Sequence, residues 1–409
     1  MKGTLEILLV LGGLLLLVRL GVLWFLAVLS WRQIRRMRPD SGAGCVSPFL
    51  SVLVPAHDEA LLLPGLLQSL RANGYPGDRY EVLVVADHCC DETETIALNG
   101  GARCVRRDGP EGGGKGAALA FGLQHLNPAT EGVVFLDADG TVGPDFLRRM
   151  ATHLAEGERV VQGRYRVADA GRHWLTRLTD LTLELKNRWQ YPGLNALGLS
   201  VPLRGTGMLF HRSVLDTWGW AGEGLTEDLD FFALLQREGI PVLFDPHALH
   251  FQHMPASLRA AGQQRRRWSA GARDVRRRHP GAGRTALEKG FWRDGVHRLV
   301  WQAPPFSLFL LLSGLLTVVG AGTLLMGSRG IALAVNAPVL FLHALYFGLA
   351  LVGNPGGAPP SRPCCSYPFS PFGVWGYMPG LCLESGRRPG CAPNGTSGRR
   401  RGSLNHEAG

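Results

Sequence analysis

Four times between residues 48 and 154 a short run of strand character gives way to a helix-like segment. PFLSVLVP (48–55), YEVLVVAD (80–87), ARCVRR (102–107) and GVVFLDAD (132–139) read as strands. LLLPGLLQSLRANG (61–74), DETETIALNGG, KGAALAFGLQHL (115–126) and PDFLRRMATHL (144–154) read as the helices that follow them. Acids in the first turn of the second helix and proline at the start of the last are helix-start signals. Repeated βα units predict an α/β fold, a doubly wound, mostly parallel, Rossmann-like sheet with helices on both faces. Such sheets bind ligands beyond the C-terminal ends of their strands. The second half is less regular. Residues 171–190 read as helix, TGMLFH (206–211) as strand, TEDLDFFALLQRE (226–238) as helix, PVLF (241–244) as a short strand and 256–279 as a basic helix.

The flanks are of another kind. Residues 5–30, LEILLVLGGLLLLVRLGVLWFLAVLS, carry only Arg19 after Glu6 and are long enough to cross a bilayer. A secretory signal is the rival reading. The run is too long for one, no A-x-A site follows, and WRQIRRMR comes next. That basic cluster predicts a cytoplasmic C-terminal flank. Two further apolar runs, 303–326 and 331–352, are joined by GSRG and predict a helical hairpin. The expectation is a multi-pass protein of the cell membrane with residues 31–302 in the cytoplasm. The net charge of +10 arises from arginines at 32–38, 259–284 and 399–401, beside the spans or in the tail. Attraction to anionic lipid headgroups accounts for them, so membrane lipids are expected partners and nucleic acid is not. None of the eight cysteines forms a C-x-x-C pair, which supports neither a zinc site nor a disulfide framework. The expected division is a transmembrane anchor (1–30), a basic linker (31–47), a catalytic domain (48–250), a basic interfacial segment (251–302), the hairpin (303–352) and a low-complexity, disordered tail (353–409).

Four motifs could carry chemistry. On an extended strand residues i and i+2 point to the same side, so Asp137 and Asp139 of VVFLDADG can converge on one hard divalent cation, Mg²⁺ or Mn²⁺. The alternative is a solvated turn at Asp139-Gly140. The loop Gly109–Gly116 matches the first seven positions of a P-loop, but Gly116 stands where the magnesium-binding hydroxyl belongs. Its backbone amides and Lys115 suit a diphosphate; a flexible loop with a surface lysine is the other reading. Thr226 can cap a helix whose first turn holds Glu227, Asp228 and Asp230, which the helix dipole alone would favour. One of these carboxylates could instead act as a general base toward an acceptor hydroxyl. In QRRRW (264–268), arginine can hold phosphate and Trp268 can stack on a sugar; a basic amphipathic helix at the membrane surface is equally compatible.

The order P-A-H-D-E, V-V-A-D, G-G-K-G, D-A-D, T-E-D and Q-R-R-R-W resembles family-2 glycosyltransferases of GT-A fold, in particular the membrane-anchored branch of cellulose, hyaluronan and poly-N-acetylglucosamine synthases. The similarity covers roughly residues 48–275. It implies that Pro55, Ala56, Glu59 and Asp87 line the nucleoside pocket and that Lys115 and Gly116 approach the nucleotide. It implies Asp137 and Asp139 as metal ligands, with Asp137 also on the donor side, and Asp228 as catalytic base. Glu227, Gln264, Arg267 and Trp268 would serve the diphosphate and acceptor. The implied activity is inverting, metal-dependent transfer of a sugar from a nucleotide diphospho-sugar, UDP-glucose or UDP-N-acetylglucosamine, to a lipid or saccharide hydroxyl, giving a β-glycoside. His57-Asp58 replaces the more usual His-Asn, and His88-Cys89-Cys90 stands where Gly/Asn-Ser-type residues are common. Three spans are fewer than a polymer-secreting pore uses. The alternatives are a processive polysaccharide synthase with partner subunits, a non-catalytic sugar-nucleotide-binding membrane protein, and a nucleotide-sugar pyrophosphorylase, which would need neither T-E-D, Q-x-x-R-W nor spans.

Overall fold

The computed structural model describes residues 2–36, 47–109, 114–220, 226–279 and 306–352. The expected tail (353–409), and parts of the expected linker and interfacial segment, lie outside the described residues.

Eight strands form one sheet: β1 (Leu50–Ala56), β2 (Tyr80–Asp87), β3 (Arg103–Arg107), β4 (Gly132–Phe135), β5 (Gly140–Val142), β6 (Val160–Val167), β7 (Met208–His211) and β8 (Leu243–Gln252), in the order β3-β2-β1-β4-β7-β6-β8-β5. The four leading strands pair in parallel, as the βα alternation predicts. β7 runs antiparallel between β4 and β6, β6 and β8 are parallel, and β5 closes the far edge antiparallel to β8. The helices α2 (Leu63–Arg71), α3 (Thr93–Asn99), α4 (Lys115–Leu123) and α5 (Phe146–Ala155) complete the first units. α2 buries Leu63, Leu66, Leu67 and Leu70, the i, i+3, i+4, i+7 stripe of a helix laid on a sheet. Each such leucine contributes about 2 kcal/mol by burial. Apolar side chains from opposite faces of the sheet form two cores, one around Leu53, Phe135 and Phe210, the other around Val52, Val134 and Phe146.

Six elements depart from the sequence reading. β4 ends at Phe135 instead of Asp139, because its partner β7 begins at Met208 and residues 205 and 207 before it turn away with positive φ. β8 extends from the expected PVLF to Gln252, and the register slip between Gly163 and Arg164 lets it pass Pro246, which has no N–H to give. β6, β5 and two short helices, α7 (Tyr191–Ala196) and α8 (Arg212–Trp218), have no counterpart in that reading.

The helices α1 (Lys2–Arg36), α11 (Phe306–Leu325) and α12 (Ile331–Val352) are long and apolar enough to cross a membrane. α6 (Trp174–Trp189) joins them to the sheet. On its sheet side, Asp180 takes two hydrogen bonds from Arg166 of β6 at 2.9 and 2.8 Å, and Glu184 pairs with Arg164. On the other side Leu181, Leu185 and Trp189 pack against Leu20, Leu23 and Tyr346. Trp189 Nε1 donates to the Leu349 carbonyl at 3.0 Å, and the Gly193 amide of α7 donates to Ser30 Oγ at 2.8 Å. The sheet unit is thus seated directly on the apolar helices.

Candidate active site

After β4 the chain turns: Leu136 N donates to Leu53 O at 3.2 Å, Asp137 N to Thr206 Oγ1 at 3.1 Å, and Gly140 N to Asp137 O at 3.1 Å. Asp137 and Asp139 therefore sit in a turn, and a tertiary contact, not strand alternation, brings them together. Gln252 at the end of β8 donates its amide to Asp137 Oδ2 at 2.8 Å and reaches Asp139 Oδ1 at 3.4 Å. Burial, and then the neighbouring Asp137 charge, raise the Asp139 carboxyl above the usual range, while Lys115 and His253 pull it back. Two carboxylates held this close, short of compensating charge, form a donor set suited to a hard divalent cation, with Gln252 and His253 beside them.

Lys115 opens α4 and reaches into this cluster. Its Nζ lies 2.5 Å from Asp137 Oδ1, donates to Gly205 O at 2.7 Å, and is 3.9 Å from Glu227 Oε1. Burial opposes its charge, but Asp137 and Glu227 outweigh that and hold its pKa above the ordinary value. Gly205 has φ +79°, and a Cβ there would stand 3.3 Å from Lys115 Nζ and 3.5 Å from Asp228 Oδ2. Glycine is needed both for the conformation and for the approach of two charged side chains.

α9 (Glu227–Arg237) presents Glu227 and Asp228 in its first turn. Thr226 occupies the N-cap position, but its side chain caps nothing; Oγ1 is buried without a hydrogen bond against Gly271 of α10 (Leu258–Arg278). Asp228 Oδ1 instead accepts from the Leu229 amide at 2.9 Å. Burial first, and the Glu227 charge second, push the Asp228 carboxyl up to about 6, against the pull of Lys115 and Arg204.

A cavity of about 530 Å³ opens beside these groups, with Pro55, Ala56, Glu59, Asp87, Lys115, Asp137 and Asp139 in its wall. That is large enough for much of a nucleotide sugar. Glu59 is raised by burial and then by Asp139 and Asp137. Asp87 lines the cavity with its carboxylate already engaged: Arg107 Nη1 at 2.6 Å and His88 Nδ1 at 2.8 Å meet Oδ1, and the Gly114 amide donates to Oδ2 at 3.1 Å. Burial opposes its charge, yet these donors hold it below the usual range. Gly116 lies in the first turn of α4, outside the cavity wall. Residues 110–113 of the glycine loop lie outside the described residues. Gln264, Arg267 and Trp268 are on α10, where Arg267 and Trp268 are exposed, and none of the three has a hydrogen bond or ion pair to the cavity among the described residues. α10 is tied to α9 at its other end, by Arg278 to Asp230 at 2.8 Å.

The family model "Glycosyltransferase like family 2" matches residues 48–271. The chain belongs to this family of glycosyltransferases. It is 31% identical over 238 residues to a β-monoglucosyldiacylglycerol synthase of Trichormus variabilis, covering 55% of this chain and 49% of that protein. It is 26% identical over 239 residues to the probable glycosyltransferase YdaM of Bacillus subtilis, covering 55% of each. The chain therefore spans about half the length of the curated relatives it matches. Among solved structures, the mannosyltransferase PcManGT of Pyrobaculum calidifontis, in complex with GDP-Man and Mn²⁺, aligns with TM-score 0.50 at 19% identity, over 84% of this chain and 98% of that one. This likeness shows the fold, which is of GT-A type.

Several residues that shape the candidate site escaped the sequence reading. Gln252, His253 and Arg107 become neighbours of the acids only through sheet order. Arg204-Gly205-Thr206-Gly207 carried a visible signal, two glycines around a hydroxyl residue before a strand. Their φ values of +79° and +63° fold the segment so that Gly205 O meets Lys115 and Thr206 Oγ1 meets Asp137.

Proposed function

We propose that this chain is an inverting, divalent-metal-dependent transferase that moves glucose, or N-acetylglucosamine, from its UDP donor to a hydroxyl of a membrane lipid. The observation that carries the reading is Lys115: one ammonium joins the Asp137/Asp139 pair to the Glu227/Asp228 pair beside a nucleotide-sized cavity. The β-monoglucosyldiacylglycerol synthase relative supports glucose and a glycerolipid as first choices. UDP rests on the resemblance of the nucleoside-pocket motif.

Asp137 and Asp139 would hold Mg²⁺ or Mn²⁺, whose charge would offset that of the departing diphosphate. Pro55, Ala56 and Glu59 would border the nucleoside. Asp87, fixed by Arg107, would set the wall and the start of the glycine loop through the Gly114 amide. Lys115 would exchange Asp137 for phosphate oxygens when donor arrives. Asp228, with its carboxyl near the working pH, would take the proton of the acceptor hydroxyl as that oxygen attacks the anomeric carbon from the face opposite the diphosphate. One displacement inverts the configuration. Gln264, Arg267 and Trp268 would need α10 to move toward the cavity to act on diphosphate or acceptor. We further propose that α1, α11 and α12 span the cell membrane and that the sheet unit faces the cytoplasm, consistent with Arg32, Arg35 and Arg36 at the end of α1.

The test is transfer from a panel of radiolabelled nucleotide sugars by membranes containing the protein, with and without EDTA. The expected outcome is a UDP-hexose-dependent glycolipid that disappears in EDTA and returns with Mn²⁺ or Mg²⁺. Undiminished transfer in EDTA would refute the metal role. A long polysaccharide as product would replace single transfer by the processive reading with its partner subunits.

A further inference from the structure

His88 follows the last residue of β2 and lies in the wall of the cavity. Its backbone has φ +52°, a left-handed conformation in which histidine is found more often than most side chains. Both ring nitrogens are engaged: Nδ1 meets Asp87 Oδ1 at 2.8 Å, and Nε2 meets the Gly109 carbonyl at 2.8 Å. Neither partner has a hydrogen to give. A carbonyl only accepts, and the Asp87 carboxylate is ionised, since Arg107 donates to the same oxygen at 2.6 Å and the Gly114 amide to the other at 3.1 Å. A neutral imidazole has one N–H and one lone pair, so it can satisfy only one of these two acceptors. Two bonds need two N–H groups, which is the imidazolium. Of the charged groups around the ring, Asp87 of β2 favours that charge and Arg107 of β3 opposes it. Asp58, after β1, is taken up by the Cys90 amide at 2.8 Å, and its neighbour His57 meets the Asp87 carbonyl at 2.6 Å. Lys115 of α4 turns instead to Asp137 and Gly205. The Gly109 carbonyl first, and Asp87 next, raise the His88 pKa above the ordinary value.

These bonds tie the two described ends of the glycine loop to adjacent residues, Gly109 to His88 and Gly114 to Asp87. Gly114 immediately precedes Lys115, whose ammonium lies 2.5 Å from Asp137. We propose that His88 is a positioning residue that acts as the imidazolium, clasping Gly109 to Asp87 so that Gly114 and Lys115 stand in place for the nucleotide donor. When the ring loses its second proton, either the Gly109 carbonyl or the Asp87 oxygen faces a lone pair, and the clasp opens. Its contribution is complete below the ordinary histidine value and is lost as pH rises through the raised folded value. Donor affinity therefore declines on the alkaline side, by a group other than the Asp228 base. This rests on the reading of the cavity as the donor site, but the state of the ring is measurable without any ligand.

The experiment uses the full chain in detergent with ¹⁵N-labelled histidine, read by NMR and, in parallel, by calorimetric titration with UDP and Mn²⁺ between pH 6 and 8.5. His88→Asn keeps a side chain suited to positive φ but cannot titrate, and it identifies the His88 signals by difference. Both His88 ring nitrogens should appear as N–H at pH 6, with a midpoint above 6.5. Wild-type affinity for UDP–Mn²⁺ should fall about fivefold through the same midpoint, the worth of one hydrogen bond. That step should be missing from His88→Asn, which should bind at the weaker, alkaline level throughout. Should His88→Asn fail to fold, His88→Gln takes its place in both measurements. A His88 ring with a single N–H at pH 6 would overturn the proposal. So would the same affinity step in the variant, which would trace the pH dependence to another group. A doubly protonated ring with no UDP binding at any pH would sink the proposed function and leave the clasp standing.

Discussion

The Asp228 carboxyl offers a quantitative handle on the reaction, because its folded value of about 6 stands well above the usual 3.8. A base with that value is about nine-tenths ionised at pH 7 and about one-tenth ionised at pH 5. The quotient kcat/KM, which reports the free enzyme, should therefore fall close to tenfold between those two pH values. A carboxylate with the ordinary pKa would leave it nearly flat. Lys115 and Arg204 both pull the value down, and their removal sharpens the test. Lys115 Nζ and Asp228 Oδ2 both lie within 3.5 Å of the same point beside Gly205, so about 7 Å at most separates them. At an effective dielectric of about 20 that distance carries about 2 kcal/mol, or more than one pKa unit. Lys115→Met should move the acid limb from near 6 to above 7 as well as weaken donor binding. Arg204→Gln should move it the same way by less. The raised value also has a sign for stability: ionising Asp228 at pH 7 costs the folded state up to about 3 kcal/mol relative to an ordinary aspartate, a cost that vanishes below its unfolded pKa. Asp228→Asn should abolish transfer, leave donor binding in place and raise the melting temperature at pH 7 but not at pH 4. The assay is glycolipid formation in detergent across pH 4.5–8, paired with thermal unfolding of the two proteins. A flat kcat/KM between pH 5 and 7, or residual transfer by Asp228→Asn, would refute the reasoning.

Gln252→Leu removes the amide shared by Asp137 and Asp139, and should raise the Mn²⁺ concentration needed for half-maximal transfer about tenfold; an unchanged requirement would make Gln252 a bystander. Asp87→Asn removes the carboxylate charge that Arg107, only 11% exposed, meets at 2.6 Å, and should cost about 2 kcal/mol in denaturant unfolding and raise the donor KM; adding Arg107→Met should recover part of the stability. Gly207→Ala meets both a φ of +63° and the buried His250 ring, and should lower stability by more than about 2 kcal/mol while displacing Thr206 from Asp137; a neutral effect would show that the segment is free to adjust.

The first half of the sheet was legible because its inner strands β1, β2 and β4 are covered on both faces and the helix α2 laid on them carries its own stripe. Val52–Val54 and Leu83–Ala86 are buried throughout, and Leu63, Leu66, Leu67 and Leu70 mark the helix that covers them. Periodicity within a window of ten residues suffices for such elements. β6 was illegible for a physical reason: VVQGRYRV alternates like a surface strand, yet nearly all of it is buried. Its arginines are neutralised by Asp180 and Glu184 of α6, and its glutamine by backbone carbonyls at Thr206 and Gly207. Partners remote in sequence change the meaning of a charged residue, and a local window does not contain them. The site divides in the same way. Asp137, Asp139, Asp228 and Lys115 were visible as types in a spacing, and the fold brings them around one point. What holds them there, Gln252 from the last strand and Gly205-Thr206 from a turn, comes from the antiparallel half where the pattern was weakest. The DAD acids show the consequence most directly. The alternation argument placed both on one side of a strand, but the strand stops at Phe135, and a glutamine 113 residues beyond Asp139 performs the convergence instead. A motif of this kind marks which groups meet; the weakly patterned half of the chain sets where they stand.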